Sequence, residues 1–332
     1  RGSKSLWYEI LWCQGKLSYL LAPTTNTISY DIFDNSTKEL YVWLSSNAVP
    51  TLNNIKAKVQ SYSFNITAEG VKIKDLDFFS TTVRGQNTSN ILISNCNFIY
   101  PSCYAHMVGE INKGTPIQPT SNETFETNTR ITNSDNCIVD KCVFKYTDGS
   151  GIEITGDNNT LQNCYFSYID KTVCNLSSVM TTIRFAGDNN IIKHNTIHKT
   201  GASSTISPGD NSIVEYNNVS ETGYLQSDGS CIHLMVNQQT NAKIRFNWVH
   251  DTIKYGIRFD GEGSGHTGYI HHNIGWNCQG GIMVKGGELN SEGDDAGKTV
   301  GGHFIYNNTF LNSDSKNDIM VLNTQGTDEN IV

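Results

Sequence analysis

Apolar and polar residues alternate along most of this chain in short runs, and no long stretch repeats at the spacing of an amphipathic helix. Alternation at period two predicts strands with one face turned inward. The runs also repeat as units. Ile93-Ser-Asn-Cys96-Asn-Phe98, Val139-Asp-Lys-Cys142-Val-Phe144, Leu161-Gln-Asn-Cys164-Tyr-Phe166, Ile192-Lys-His-Asn195-Thr-Ile197, Val214-Glu-Tyr-Asn217-Asn-Val219, Ile244-Arg-Phe-Asn247-Trp-Val249, Ile270-His-His-Asn273-Ile-Gly275 and Ile305-Tyr-Asn-Asn308-Thr-Phe310 superimpose. Each has an apolar position, a Cys or Asn three residues later, and usually a second apolar residue two beyond. Ile73-Lys-Asp-Leu76-Asp-Phe78 fits the frame with Leu at the third column. The Cys/Asn position recurs after 46, 22, 31, 22, 30, 26 and 35 residues.

Strand repeats at such intervals predict a solenoid. A coil of about 22 residues with insertions suits an all-β, parallel β-helix. An Asn held at one inward turn can bond the same amide one coil away and the turn backbone, which satisfies buried polar groups. Cys96, Cys142 and Cys164 share that column and read as small, inert core thiols. A second set of strands precedes the first in each coil: Gly151-Ile-Glu-Ile-Thr155, Thr182-Ile-Arg-Phe-Ala186, Cys231-Ile-His-Leu-Met235, Gly256-Ile-Arg-Phe-Asp260 and Gly281-Ile-Met-Val-Lys285, with Ser204-Thr-Ile-Ser207 between them at a one-residue shift. Ile152/Ile154, Ile183/Phe185, Ile232/Leu234, Ile257/Phe259 and Ile282/Val284 should point inward. Turns such as Gly156-Asp157-Asn158 and Gly187-Asp188-Asn189 join the two sets.

The first 60 residues break the pattern. Trp7, Trp12, Tyr30, Leu40-Tyr-Val-Trp43 and Ile55-Lys-Ala-Lys-Val59 suggest antiparallel strands that cap the open solenoid edge, with residues 61–332 forming the β-helix. Residues 103–132 and 286–298 read as long loops.

Composition narrows the partners. The 332 residues carry a net charge of −8, which argues against duplex nucleic acid as the main partner. Apolar stretches are too short to span a bilayer. The chain opens Arg1-Gly2-Ser3 without an initiator Met, and we expect a processed or truncated secreted protein whose signal peptide is out of view. Eight Asn-x-Ser/Thr sequons (at Asn35, Asn65, Asn87, Asn122, Asn158, Asn175, Asn218 and Asn307) add little to that expectation in a chain with 37 Asn.

Outward residues in one register of a β-helix stack about 4.8 Å apart. One column should read Glu153, Arg184, Thr205, His233, Arg258, Met283, and the next Thr155, Ala186, Ser207, Met235, Asp260, Lys285. Arg84 should extend the first. Three of the chain's six arginines then share one face, which suits an extended anionic ligand. Ion pairing, as between Glu153 and Arg184 or Asp260 and Lys285, is the plainer use of these charges. Asp260 with Asp228 or Glu262 would supply the two carboxylates of glycoside hydrolysis. His233 joins them as a catalytic candidate, and Arg184, Arg258, Lys285, Glu153 and Arg84 as substrate-binding residues. A lyase would instead use His233 or Lys285 as base and Arg258 to neutralise a uronate. Asp228, in Ser-Asp-Gly-Ser like Asp148 in Thr-Asp-Gly-Ser, also suits an Asx turn. His250-Asp251 reads as a turn-side contact. No spacing marks a zinc site, and no cofactor is expected; the acidic loop Glu288, Glu292, Asp294, Asp295 is the one place for Ca²⁺.

The Asn/Cys column, the Ile-x-Ile/Phe strands and segments such as Lys254-Tyr-Gly-Ile-Arg-Phe-Asp-Gly261, His271-His-Asn-Ile-Gly-Trp-Asn277 and Gly280-Gly-Ile-Met-Val-Lys-Gly286 resemble the right-handed parallel β-helix proteins of the pectate-lyase-like superfamily over residues 60–325. That resemblance implies a secreted, carbohydrate-active protein, either a glycoside hydrolase or a polysaccharide lyase, acting on acidic polysaccharide. The paired Asp motifs of polygalacturonases and the calcium-ligand motifs of the lyases are absent, so no catalytic residue transfers. The leading expectation is a hydrolase; a lyase and a non-catalytic binding solenoid are the alternatives.

Overall fold

The computed structural model describes residues 31–34, 39–42, 62–104, 126–147, 149–170, 181–225, 228–234, 240–260, 268–285, 304–313 and 319–322. From Tyr62 onward the strands wind in coils of three. Ile152–Thr155, Thr160–Gln162 and Tyr165–Ile169 make one coil, and Thr181–Ala186, Ile191–Lys193 and Thr196–Thr200 the next. Each strand pairs in parallel with its counterpart one coil away. Three sheets result. The first runs from Tyr62–Ile66 to Ile319–Leu322, the second from Lys72–Lys74 to Phe304–Tyr306, and the third from Asp77–Phe79 to Thr309–Leu311. Trp248–Asp260 and Ile274–Lys285 are long strands that turn the corner from the third sheet into the first.

The inward residues close the core. Ile152, Ile154, Ile183, Ile232, Ile257 and Ile282 are fully buried, and Phe185, Leu234, Phe259 and Val284 nearly so. On the third sheet Phe78, Phe98, Phe144 and Phe166 stack in sequence with centroids 4.6, 4.8 and 4.6 Å apart and nearly parallel planes. The ring spacing equals the coil spacing, so one side-chain type repeated in register stacks without adjustment.

The corner between the second and third sheets carries the amide ladder. Asn217 receives the Asn195 backbone N–H and side-chain Nδ2 at 3.0 Å each, and gives its own N–H and Nδ2 to Asn247 Oδ1 at 3.0 Å. Asn247, Asn273 and Asn308 continue the series. Nδ2 also reaches the backbone, as from Asn217 to the Ile192 carbonyl at 2.9 Å. Where Cys replaces Asn, sulfur takes the acceptor place: the Cys142 N–H donates to Cys164 Sγ at 3.4 Å. Cys96, Cys137, Cys142, Cys164, Cys231 and Cys278 are free and buried, as expected of core thiols. The residue before each ladder position lies in the left-handed region: Asn95, Lys141, Asn163, His194, Tyr216, Phe246, His272 and Asn307 have φ between 53° and 56°. This left-handed residue lets the chain turn a corner in two residues.

A second, shorter ladder stands at the corner between the first and second sheets. The Cys137 N–H donates to Asn159 Oδ1, and that of Asn159 to Asn190 Oδ1, both at 2.8 Å. At the predicted turn there, Gly156 has φ +120°, and a Cβ would run into the Ser134 carbonyl of the preceding coil. Only glycine fits that corner.

Asp31–Asp34 pairs antiparallel with Glu39–Val42, the pairing type expected of the N-terminal segment. Trp7, Trp12, Tyr30, Trp43, the Ile55–Val59 run and the 286–298 loop lie outside the described residues.

Candidate functional site

The first sheet's outer wall brings together most of the residues that the column argument singled out. Glu153 pairs with Arg184, His233 with Arg258, Arg258 with Met283, and Asp260 with Lys285. One correction applies. Arg184 is in register with Ser207, not Thr205, because Ile206 is the inward residue that aligns with both Ile183 and Ile232. A strand with one core residue where its neighbours have two is set by that residue, which moves Ser207 into the first column. Arg84 extends the first column as expected, with Arg130 between it and Glu153 and in register with both.

The wall's charges are largely paired. Glu153 accepts from Arg130 at 2.9 Å and Arg184 at 3.3 Å. Arg130 is 3% exposed on its side chain and Arg184 49%, so the first anchors the carboxylate and the second reaches solvent. Arg84 donates to Gln86 Oε1 at 2.5 Å. His233 lies in the predicted column but is 1% exposed, with Nδ1 against Ser204 Oγ at 2.7 Å. Thr205 and Ser207 are buried as well, so this part of the wall is closed to solvent and not the open groove that the column alone implies.

The open chemistry lies beside it. Asp228 Oδ1 accepts from Arg258 Nη1 at 2.5 Å and from the Gly229 N–H at 2.7 Å. The carboxylate is 56% exposed and the guanidinium 14%. Partial burial pushes the Asp228 pKa up, but the Arg258 guanidinium and the Gly229 N–H outweigh it and hold the carboxyl below its usual range. The bond goes to the next residue's N–H and not to the one after it, so it is not the Asx turn expected; it steadies the carboxylate alongside the ion pair. The backbone carbonyl of Asp228 accepts from Lys254 Nζ at 2.7 Å. Lys254 is 3% exposed, and burial lowers its pKa to about 8 against the opposing pull of Asp228.

Asp260 and Lys285 are placed by backbone alone. Ser230 aligns with Tyr255, so Asp228 sits before the start of this strand position and Asp260 at its end, about 16 Å on at 3.3 Å per residue. Arg258 lies between them. Glu262 and Asp148 lie outside the described residues, as do Glu288, Glu292, Asp294 and Asp295. Sequence reasoning missed Arg130 and Lys254. Aligning Arg130-Ile131-Thr132 with Glu153-Ile154-Thr155 would have found the first; nothing in a Lys at the corner of a long strand marks burial.

His250 makes the predicted contact, Nδ1 to Asp251 Oδ2 at 2.7 Å, with Nε2 at 2.8 Å from Asn218 Oδ1.

Coils of three parallel strands with a polar ladder at the corner define a parallel β-helix. Residues 130–296, half of the chain, match the family model described as a right handed beta helix region, and the chain belongs to that family. No curated protein sequence matches the chain. Among solved structures it is similar in fold to a point mutant of the tailspike protein of E. coli bacteriophage HK620 in complex with a pentasaccharide, at 12% identity and a TM-score of 0.40 over 79% of this chain. The chain spans about half, 48%, of that tailspike. No helix among the described residues is long and apolar enough to cross a membrane.

Proposed function

We propose that the chain is a secreted glycoside hydrolase that binds an anionic polysaccharide along the first wall. The observation that carries this reading is the Asp228–Arg258 pair: an exposed carboxylate kept ionised by a guanidinium at its inner edge. A carboxylate held in that form suits the base or nucleophile and not the acid. Asp260, about 16 Å along the wall by register, lies beyond the ~6.5–9.5 Å that separates the two carboxyls of an inverting glycosidase, so it does not pair with Asp228. The acid we assign is Glu262, whose proton goes to the leaving oxygen. Arg84, Arg130, Arg184 and Arg258 stand along this wall with Glu153 and Asp228, four basic residues against two acidic ones in a chain of net charge −8, and the backbone register adds Lys285 and Asp260 at its end. That local excess favours a sulfated or uronate-containing polymer. The reaction so drawn needs no cofactor.

Lys254 supports a second reading, a lyase. An amine with a pKa near 8 beside a guanidinium is the pair that removes the proton alpha to a neutralised carboxylate.

Digestion of a panel of sulfated and uronate glycans separates the two. New reducing ends without ultraviolet absorbance mean hydrolysis, and new absorbance from an unsaturated uronate means elimination. Asp228→Asn should lower hydrolysis by roughly 10²-fold or more. Full activity in that variant overturns the assignment of Asp228.

A further inference from the structure

The third sheet holds a different constellation. His198 and Ser220 are register neighbours on its outer face. Ser220 Oγ lies 3.1 Å from His198 Nδ1, and His198 Nε2 lies 3.4 Å from Glu221 Oε1. Lys199 Nζ is 3.9 Å from the other Glu221 oxygen and sits over the Tyr168 ring. A carboxylate facing Nε2 favours the tautomer with its proton there, which leaves the Nδ1 lone pair aimed at the serine hydroxyl. Hydroxyl, imidazole and carboxylate in that order are the parts of an activated nucleophile, whatever the fold.

The surroundings select a substrate. The column continues from Ser220 to His250 and Trp276, whose rings stack at 4.1 Å. Ser220, 7% exposed, floors the gap between the His198 and His250 positions, two coil spacings or about 10 Å apart. Trp248, 52% exposed, is the register neighbour of Asn218 and stands diagonal to Ser220. An exposed indole beside the Asn218 amide, with the Asn277–Asp251 pair about three residues further along the strand, presents both an apolar face and hydrogen-bonding groups. A sugar ring has the same two sides.

We propose that Ser220, His198 and Glu221 form a second, independent centre that hydrolyses O-acyl esters carried on a sugar. Ser220 Oγ attacks the acyl carbon while its proton passes to His198 Nδ1. The sugar oxygen leaves with that proton, and an acyl-serine remains. Water then attacks the acyl carbon, gives a proton to His198, and the serine departs with it, which releases the carboxylic acid. Glu221 is the positioning residue that fixes the imidazole. Burial pushes the His198 pKa below its usual value, against the pull of Glu221 and with the repulsion of Lys199 and His250, so the imidazole is free base at neutral pH.

The test uses a fluorophosphonate probe with peptide mapping, and hydrolysis of 4-nitrophenyl acetate and an acetylated polysaccharide. The probe should label Ser220. Ser220→Ala and His198→Gln should lose labelling and roughly 10²-fold or more in kcat/KM, with far-ultraviolet circular dichroism unchanged. Glu221→Gln should keep part of the activity and move the acid limb of the pH profile to lower pH, a shift that a merely structural contact would not produce. Trp248→Ala should raise KM for the acetylated polymer by a larger factor than KM for 4-nitrophenyl acetate. Labelling elsewhere, no labelling, or Ser220→Ala at the wild-type rate overturns the centre. An unchanged KM in Trp248→Ala overturns the sugar assignment. None of these readouts involves the first wall.

Discussion

Asn217 shows how much one side chain holds. Its amide accepts two bonds from the coil before, donates to the coil after, and reaches the Ile192 carbonyl. Asn217→Ala strands the Asn195 donors and that carbonyl in a dry corner, and should cost about 3 kcal/mol in urea unfolding. Asp228 carries the residue-scale prediction for chemistry. Because its pKa is held low, the acid limb of activity should fall below the ordinary carboxylate range, and Arg258→Gln should move it upward in a pH–rate profile. Lys254 makes a separate pH prediction. Between about pH 8 and the ordinary lysine range the unfolded chain binds the extra proton and the folded chain does not, so this residue makes stability rise with pH there. Wild type should gain in Tm on Lys254→Met across that window. No gain would mean that the amine is not held in its neutral form.

At the scale of the element, the aromatic stack and the outer columns behave differently. Phe144 is clasped between Phe98 and Phe166, and Phe144→Ala should destabilise by about 4 kcal/mol because neither ring can close the gap without leaving its own register. The same register logic explains what was legible in the sequence. The Asn217 column announced itself because one residue type recurs in coil after coil. The Cys137–Asn159–Asn190 ladder did not, since it spans three coils and gives way to Ser212 and Ala242. Pairs such as Glu153–Arg184 and His233–Arg258 followed from alternation alone. The Ser204–Ser207 strand misled, because small polar residues carry no inward signal except Ile206. Exposure was the least legible property: His233 is closed off, and although the Asn195 and Asn217 column already puts His198 and Ser220 in register, three residues past each amide, that column does not show that imidazole and hydroxyl meet.

For the whole molecule, the consequence of winding is that charge is sorted by wall. The chain is acidic in sum, yet the first wall gathers four of six arginines. Binding of a sulfated polymer there should weaken steeply with added salt, as fluorescence titration would show; a salt-independent affinity would place the ligand elsewhere. The corner amides have an implication for the history of the chain. Each hands its backbone N–H one way, toward the C-terminal neighbour, and each finds an identical acceptor waiting. A tandem copy of the 22 residues from 196 to 217 would meet the same partners at both seams. Such proteins can lengthen by duplicating a whole winding without inventing a new joint, and an added winding brings another row of outward positions free to vary.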